Sequence, residues 1–208
     1  MKKLVLLVVL ALAGVLAYYL LYSKKNKPHD ESERQQALTV SKHSPAFLNS
    51  IESTLKSYYL LSESFVNWDS AAIRLNATNL KTNIANIKFD ELKKDTAIFE
   101  TASSYNESLN SDLDIILQQP DITAIRKALN SFSQNFYDLL RSVNYDGSKI
   151  FLQECPMAFN DAEPGLWLSN KADIRNPYLG LHHPKYKSGM LECGEIKDSL
   201  HFAGVTKN

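Results

Sequence analysis

Four sulfur-bearing side chains near the C-terminus carry the clearest chemistry in this sequence. Cys155-Pro156-Met157-Ala158 sets a thiol and a thioether two positions apart, and Met190-Leu191-Glu192-Cys193 sets a second such pair three apart. Soft donors of this kind select soft cations such as Cu(I) and Ag(I). Alternate residues of an extended strand share a face, so Cys155 and Met157 can converge on one ion. Residues three apart converge on a tight turn or a helix, which suits Met190 and Cys193. His182 and His183 lie nearby as borderline ligands suited to Cu(II). The candidate metal set is therefore Cys155, Met157, Met190 and Cys193, with His182 and His183 as further candidates and copper as the candidate ion. The same cysteines also read as a disulfide. It would close a loop of roughly 37 residues and stabilise an exported domain by on the order of 3–4 kcal/mol, with Met157 and Met190 as core filler. The residues alone weigh the two readings equally, and redox-dependent binding would combine them. Both require Cys155 and Cys193 to be neighbours in space.

Catalytic signatures are missing: the sequence has no Gly-x-Ser-x-Gly, no His-Glu-x-x-His and no phosphate loop. Asp112 and Asp114, two apart on an expected helix, fall on different faces and read as solvated surface. Nothing orients a nucleophilic pair of Cys155 with His182 or His183. His29, His43 and His201 are scattered and carry no ligand signal. The reading is of a protein that is not an enzyme. With 23 basic and 23 acidic residues the formal net charge is +0, which lacks the electrostatic footprint of a nucleic-acid binder. A hydrophobic fraction of 44% allows a substantial core, and 7 glycines in 208 residues argue against long series of tight β-turns.

Whether two cysteines matter depends on the compartment. Lys2 and Lys3 precede an apolar run from Leu4 to Tyr22, which at about 1.5 Å per residue nearly spans a hydrocarbon core of about 30 Å. The run does not end at the small residues around Gly14 but continues to Tyr18, Tyr19 and Tyr22, which suit an interfacial belt. Residues 1–22 are thus expected to be an uncleaved signal anchor holding the chain at the membrane through an N-terminal helix, with cleavage and export as the alternative. Lysines flank both ends, so charge gives no orientation. The periplasmic side of an inner membrane is expected from the cysteine pair and from the resemblance below.

Residues 23–43 read as a polar linker. From residue 44 the chain predicts helices. Ser44-Pro45 is an N-cap followed by a first-turn proline, with Phe47, Ile51, Leu55, Tyr58 and Leu61 at helical spacing. A second helix is expected over 70–87 with Ala72, Leu75, Leu80, Ile84 and Ile87 inward. A third begins at Asp90-Glu91, carries Leu92, Phe99, Ala102, Leu109, Leu113 and Ile116, and stops at Pro120. A fourth carries Ile122, Ile125, Leu129, Phe132, Phe136, Leu139 and Val143, alternating three and four as a bundle seam requires. The expected fold is mainly α: an up-down four-helix bundle over 44–145. After the turn signal Asn144-Tyr145-Asp146-Gly147, a small loop-rich C-terminal cap over 146–208 with two or three short strands completes the same domain.

The C-terminal residues also occur in a known order. Cys155-Pro156-Met157-Ala158, then Trp167-Leu168-Ser169, Ile174, Asn176-Pro177-Tyr178, Gly180, Met190 and Cys193-Gly194 resemble the bacterial domain-of-unknown-function family 3347. The resemblance covers about residues 45–200. Members are typically exported, and similar domains are attached to the periplasmic adaptor subunits of cation efflux pumps. The resemblance therefore implies copper or silver handling and efflux-system components as partners. The Cys-Pro-Met core is also similar to the short heavy-metal-binding domains of such pumps. Leu181 to Gly189 departs from the family pattern by lengthening the stretch before Met190 and adding the two histidines.

Overall fold

The structure is a computed structural model that describes Tyr18 and residues 41–202. All elements below belong to the unit from Val40 to Asn208. The expected span at Leu4–Tyr22 lies outside the described residues except for Tyr18. Among the described residues no helix is long and apolar enough to cross a membrane.

The domain is mainly α, with a three-stranded antiparallel sheet at its C-terminal end. Helix α1 (Pro45–Val66) starts where Ser44 accepts a hydrogen bond from the Phe47 amide, with proline in its first turn. Phe47, Ile51, Leu55, Tyr58 and Leu61 are all buried. Helix α2 (Ser70–Ala85) is capped by Asp69. It buries Ile73, Ala77, Leu80 and Ile84, whereas Leu75, expected to face inward, is 64% exposed. The α2 sequence has apolar residues on more than one face of its first turns, so spacing alone does not select the buried stripe.

The third expected helix divides in two. A short 3-10 helix over Phe89–Lys94 carries the acidic pair Asp90 and Glu91, and α3 (Thr96–Gln118) starts anew with Asp95 as its N-cap. Helix α4 (Ile122–Ser142) is capped by Asp121, whose carboxylate accepts from the Thr123 and Ala124 amides. Asp112 also departs from the expectation of solvated surface. It is buried and accepts a hydrogen bond from Asn135 at 3.0 Å, and burial raises its carboxyl above the ordinary range.

The expected linker's last residues are bonded to the domain. Ser41 and the Lys42 amide donate to Asp146. His43 stacks on Phe47 and places its two ring nitrogens against Glu91 (2.9 Å) and the Val143 carbonyl (2.8 Å).

The sheet has the order β2-β1-β3, with β1 (Ile150–Phe159) between β2 (Glu163–Ser169) and β3 (Glu195–Leu200). Asn160 and Asp161, both at positive φ, turn the chain between β1 and β2. Strand β2 is a sheet edge, and an edge strand leaves alternate N–H groups unpaired. Helix side chains take them. The Leu166 amide donates to Asn130 of α4 at 2.7 Å, and the Leu168 amide donates to the Tyr58 hydroxyl of α1 at 3.0 Å. These bonds fasten sheet and helices into one core.

Candidate functional site

Cys155 sits on the central strand β1, opposite Gly165 of β2, and is fully buried. Cys193 lies in the loop just before β3 and is partly exposed. Their sulfurs are 2.8 Å apart and both cysteines are free. The two residues expected to be neighbours are therefore in contact although 38 positions apart in sequence.

A frame of buried side chains fixes this meeting. Asn176, with no exposed surface, donates from Nδ2 to the Cys193 carbonyl at 2.8 Å. Its Oδ1 accepts from the Tyr178 and Leu179 amides, and its own amide donates to the Leu191 carbonyl. One side chain thus ties the Asn176-Pro177-Tyr178 corner to the loop carrying Cys193. Gly194 has φ +144, and a Cβ there would lie 2.7 Å from the Glu154 carbonyl oxygen and 2.8 Å from the Trp167 ring. Only glycine lets the chain pass this close. A Cβ on Gly165 would meet Ala158 and the Tyr178 ring at 2.6–2.8 Å, so the residue facing Cys155 must also be small. The Tyr178 hydroxyl donates to the Leu166 carbonyl, and Trp167 and Tyr178 meet edge to face.

The remaining candidate ligands stand as follows. Met190 and Cys193 close the expected tight turn, the Cys193 amide donating to the Met190 carbonyl at 3.1 Å. Met157 is half-buried and falls where the β1–β2 pairing is irregular, between Cys155 and Phe159. His182 is exposed. His183 belongs to a different cluster: it stacks on Tyr186 and meets Trp68 edge-on, and its Nδ1 accepts from the Lys185 and Tyr186 amides. Among the described residues no group of three or more His, Cys, Asp or Glu is gathered as a metal cluster. The structure thus brings together the two cysteines and places the histidine pair elsewhere.

Burial, then the hydrogen bond to Cys155 and the charge Cys155 would carry, push the Cys193 thiol up to about 12. Cys193 therefore resists ionisation while its sulfur lies beside Cys155. A thiol raised in this way is a poor nucleophile at neutral pH.

A cavity of about 450 Å³ lies between α1 and the cap. Tyr59, Glu63, Trp167, Lys171, Arg175 and Leu191 are among its walls. The Tyr59 hydroxyl is buried without a hydrogen-bond partner. Arg175 spans the rim to Glu63, its Nε and Nη2 donating to the two carboxylate oxygens at 2.7 and 2.5 Å. Sequence reading did not single out Tyr59, Glu63 or Arg175, because no local spacing links α1 to the 169–175 loop.

Residues 54–147 match the family described as Protein of unknown function (DUF3347). The match supports the resemblance drawn above and rests on the helices, ending before Cys155. No curated protein and no solved structure matches the chain.

Proposed function

We propose that this chain, whose helical part matches that family of unknown function, is not an enzyme but a membrane-tethered, extracytoplasmic binding protein. In this reading Cys155 and Cys193 hold a soft monovalent ion, Cu(I) or Ag(I), as cargo. The observation that supports it best is the 2.8 Å approach of the two sulfurs, with the Cys193 carbonyl also held by Asn176. With metal–sulfur bonds near 2.3 Å, one ion between two thiolates needs sulfurs about 4 to 4.6 Å apart. Cys155 is fixed on the central strand, while Cys193 is partly exposed on a turn. A shift of Cys193 by roughly 1 to 2 Å makes that room. Metal binding then displaces the thiol protons. Met157 and Met190 are the thioether candidates for a further bond.

The rest of the reading follows the sequence. Leu4–Tyr22 anchors the chain in the inner membrane, residues 23–40 reach outward, and the four helices form an up-down bundle facing the periplasm. A cation efflux system is the partner. Titrating the reduced full-length chain, in detergent, with Cu(I) against a chromophoric Cu(I) chelator tests the proposal. One ion per chain should be retained, and either Cys155→Ser or Cys193→Ser should abolish retention. No competition with a micromolar-affinity chelator overturns it.

A second reading has an observation of its own: the sulfurs need to close by less than about 1 Å to form a disulfide. The domain is then a structural or interaction module without a metal role. Thiol counting and metal analysis of protein isolated anaerobically from its native envelope separate the two. Blocked thiols without metal favour the staple.

A further inference from the structure

Away from the cysteines, Arg126 is anomalous. It lies in the second turn of α4 with only 6% of its surface exposed. Its Nε and Nη2 atoms are buried without a hydrogen-bond partner. None of the ion pairs among the described residues includes it. A buried cation with neither counter-ion nor acceptor is among the costliest arrangements a fold can hold. Burial lowers the guanidinium to about 10, which leaves it charged at neutral pH.

The surroundings are built rather than incidental. The guanidinium carbon lies 3.7 Å from the centroid of the Trp68 ring, a stacked geometry that leaves the planar fork of N–H donors in its own plane. Trp68 itself is held at φ 55, in the left-handed region that a bulky residue seldom adopts. Its Nε1 donates to the Leu179 carbonyl at 3.2 Å. Gly180 packs so close to the indole that a Cβ there would lie 2.8 Å from Nε1. The loop that departs from the family pattern adds the third wall, with the His183 ring edge-on to Trp68 and stacked on Tyr186. With Nδ1 of His183 accepting two backbone amides, the neutral ring carries its proton on Nε2. The nearby acid, Asp161, is already engaged by Lys185 and Tyr186.

We propose that Arg126, stacked on Trp68 and bordered by His183, is an oxyanion-binding site that takes a carboxylate or phosphate group through the unpartnered Nε–Nη2 edge of its guanidinium. That edge is the one that forms two parallel N–H bonds to a planar carboxylate or to two phosphate oxygens. Because both atoms are buried, binding requires the side chains around them to move aside, His183 of the 181–189 loop being one wall. The site is independent of the thiol pair and stands or falls separately from metal binding.

The test uses the full-length chain in detergent. Tryptophan emission and the unfolding temperature are followed while acetate, succinate or phosphate replaces chloride at constant ionic strength. A saturable change in Trp68 emission and a rise in unfolding temperature are expected. Arg126→Met should lose both, and Trp68→Phe should lose the emission change. Arg126→Lys should weaken binding by about ten-fold or more, because an ammonium cannot make the paired bonds. A response to acetate and succinate alone assigns a carboxylate ligand, and a response to phosphate alone assigns a phosphate. If Arg126→Met fails to fold by circular dichroism, Arg126→Lys and His183→Ala carry the comparison. The proposal is overturned if no oxyanion gives a saturable response, if Arg126→Lys binds as tightly as the parent, or if Arg126→Met folds and responds unchanged.

Discussion

Two adjacent tyrosines on α1 should respond oppositely to the loss of a single oxygen atom. The Tyr58 hydroxyl donates to Ser133 Oγ at 2.6 Å and accepts the Leu168 amide at 3.0 Å. Ser133 in turn donates to the Leu129 carbonyl at 2.7 Å, so each proton in the chain has a defined acceptor. Tyr58→Phe keeps the ring and its parallel contact with Phe132 at 5.7 Å. What it removes is the acceptor for a buried strand amide and one bond to Ser133. An orphaned buried donor costs roughly 1–3 kcal/mol, so we expect about 2 kcal/mol in all. For a unit of this size that lowers the unfolding temperature by about 4–8 °C. Tyr59→Phe deletes a buried hydroxyl that has no partner. It should change stability by less than about 0.5 kcal/mol, or raise it. Urea unfolding of both variants, with unchanged m-values, gives the comparison. Equal costs for the two substitutions would refute the account of Tyr58 as the bolt between α1, α4 and β2.

The cysteines, the frame and an acidic latch yield three further expectations. Closing Cys155–Cys193, 38 positions apart, should stabilise the domain by about 4 kcal/mol over the reduced form; coincident urea midpoints with and without reductant would show that no covalent bond forms. Gly194→Ala forces a Cβ to within 2.7 Å of the Glu154 carbonyl oxygen at φ +144, so it should cost about 2 kcal/mol or more and speed alkylation of Cys193, with an unchanged alkylation rate counting against the frame. Burial alone would raise the Glu91 carboxyl, but bonds from Ser44 and His43 outweigh it and hold the group below its ordinary 4.5. A lowered folded value means that its stabilisation is present above about pH 4.5 and is lost as pH falls through the lower folded value. Glu91→Gln should accordingly flatten the acid limb of a stability–pH profile, and an unchanged limb would remove the latch from the account.

Helix boundaries were legible because their signals are local. Ser44-Pro45 and Pro120 each act within a turn of where they stand. The third helix was misjudged at its start for the same reason: Glu91 and Asp95 both carry start-type chemistry, and only tertiary packing decides that Glu91 bonds the Ser44 amide while Asp95 caps α3. Spacing told that Asp112 and Asp114 face different ways, but not which way is inside. In the event Asp112 faces Asn135 of α4, and Asp114 pairs with Lys81 of α2. The cavity walls and the Trp68–Arg126–His183 cluster were illegible for a stronger reason. Each draws on segments far apart in sequence, and neither leaves a periodicity to read.

The residues that carried the family resemblance divide by role once the chain is folded. Trp167, Asn176 and Tyr178 are buried in the frame, and Gly194 is a point where that frame admits close approach. Asn176 grips the Cys193 carbonyl, and Gly194 lies against the Trp167 ring, whatever the state of the sulfurs. A loop held only by a disulfide would have no need of either. Contacts other than the sulfurs thus hold the Cys193 loop against β1 and β2, and in the proposed binding reading they would limit the ordering entropy that capture of an ion costs. The same preorganisation lowers the entropic cost of closing a disulfide and of binding an ion. Asn176, which bonds the Cys193 carbonyl, therefore serves the pair under either reading.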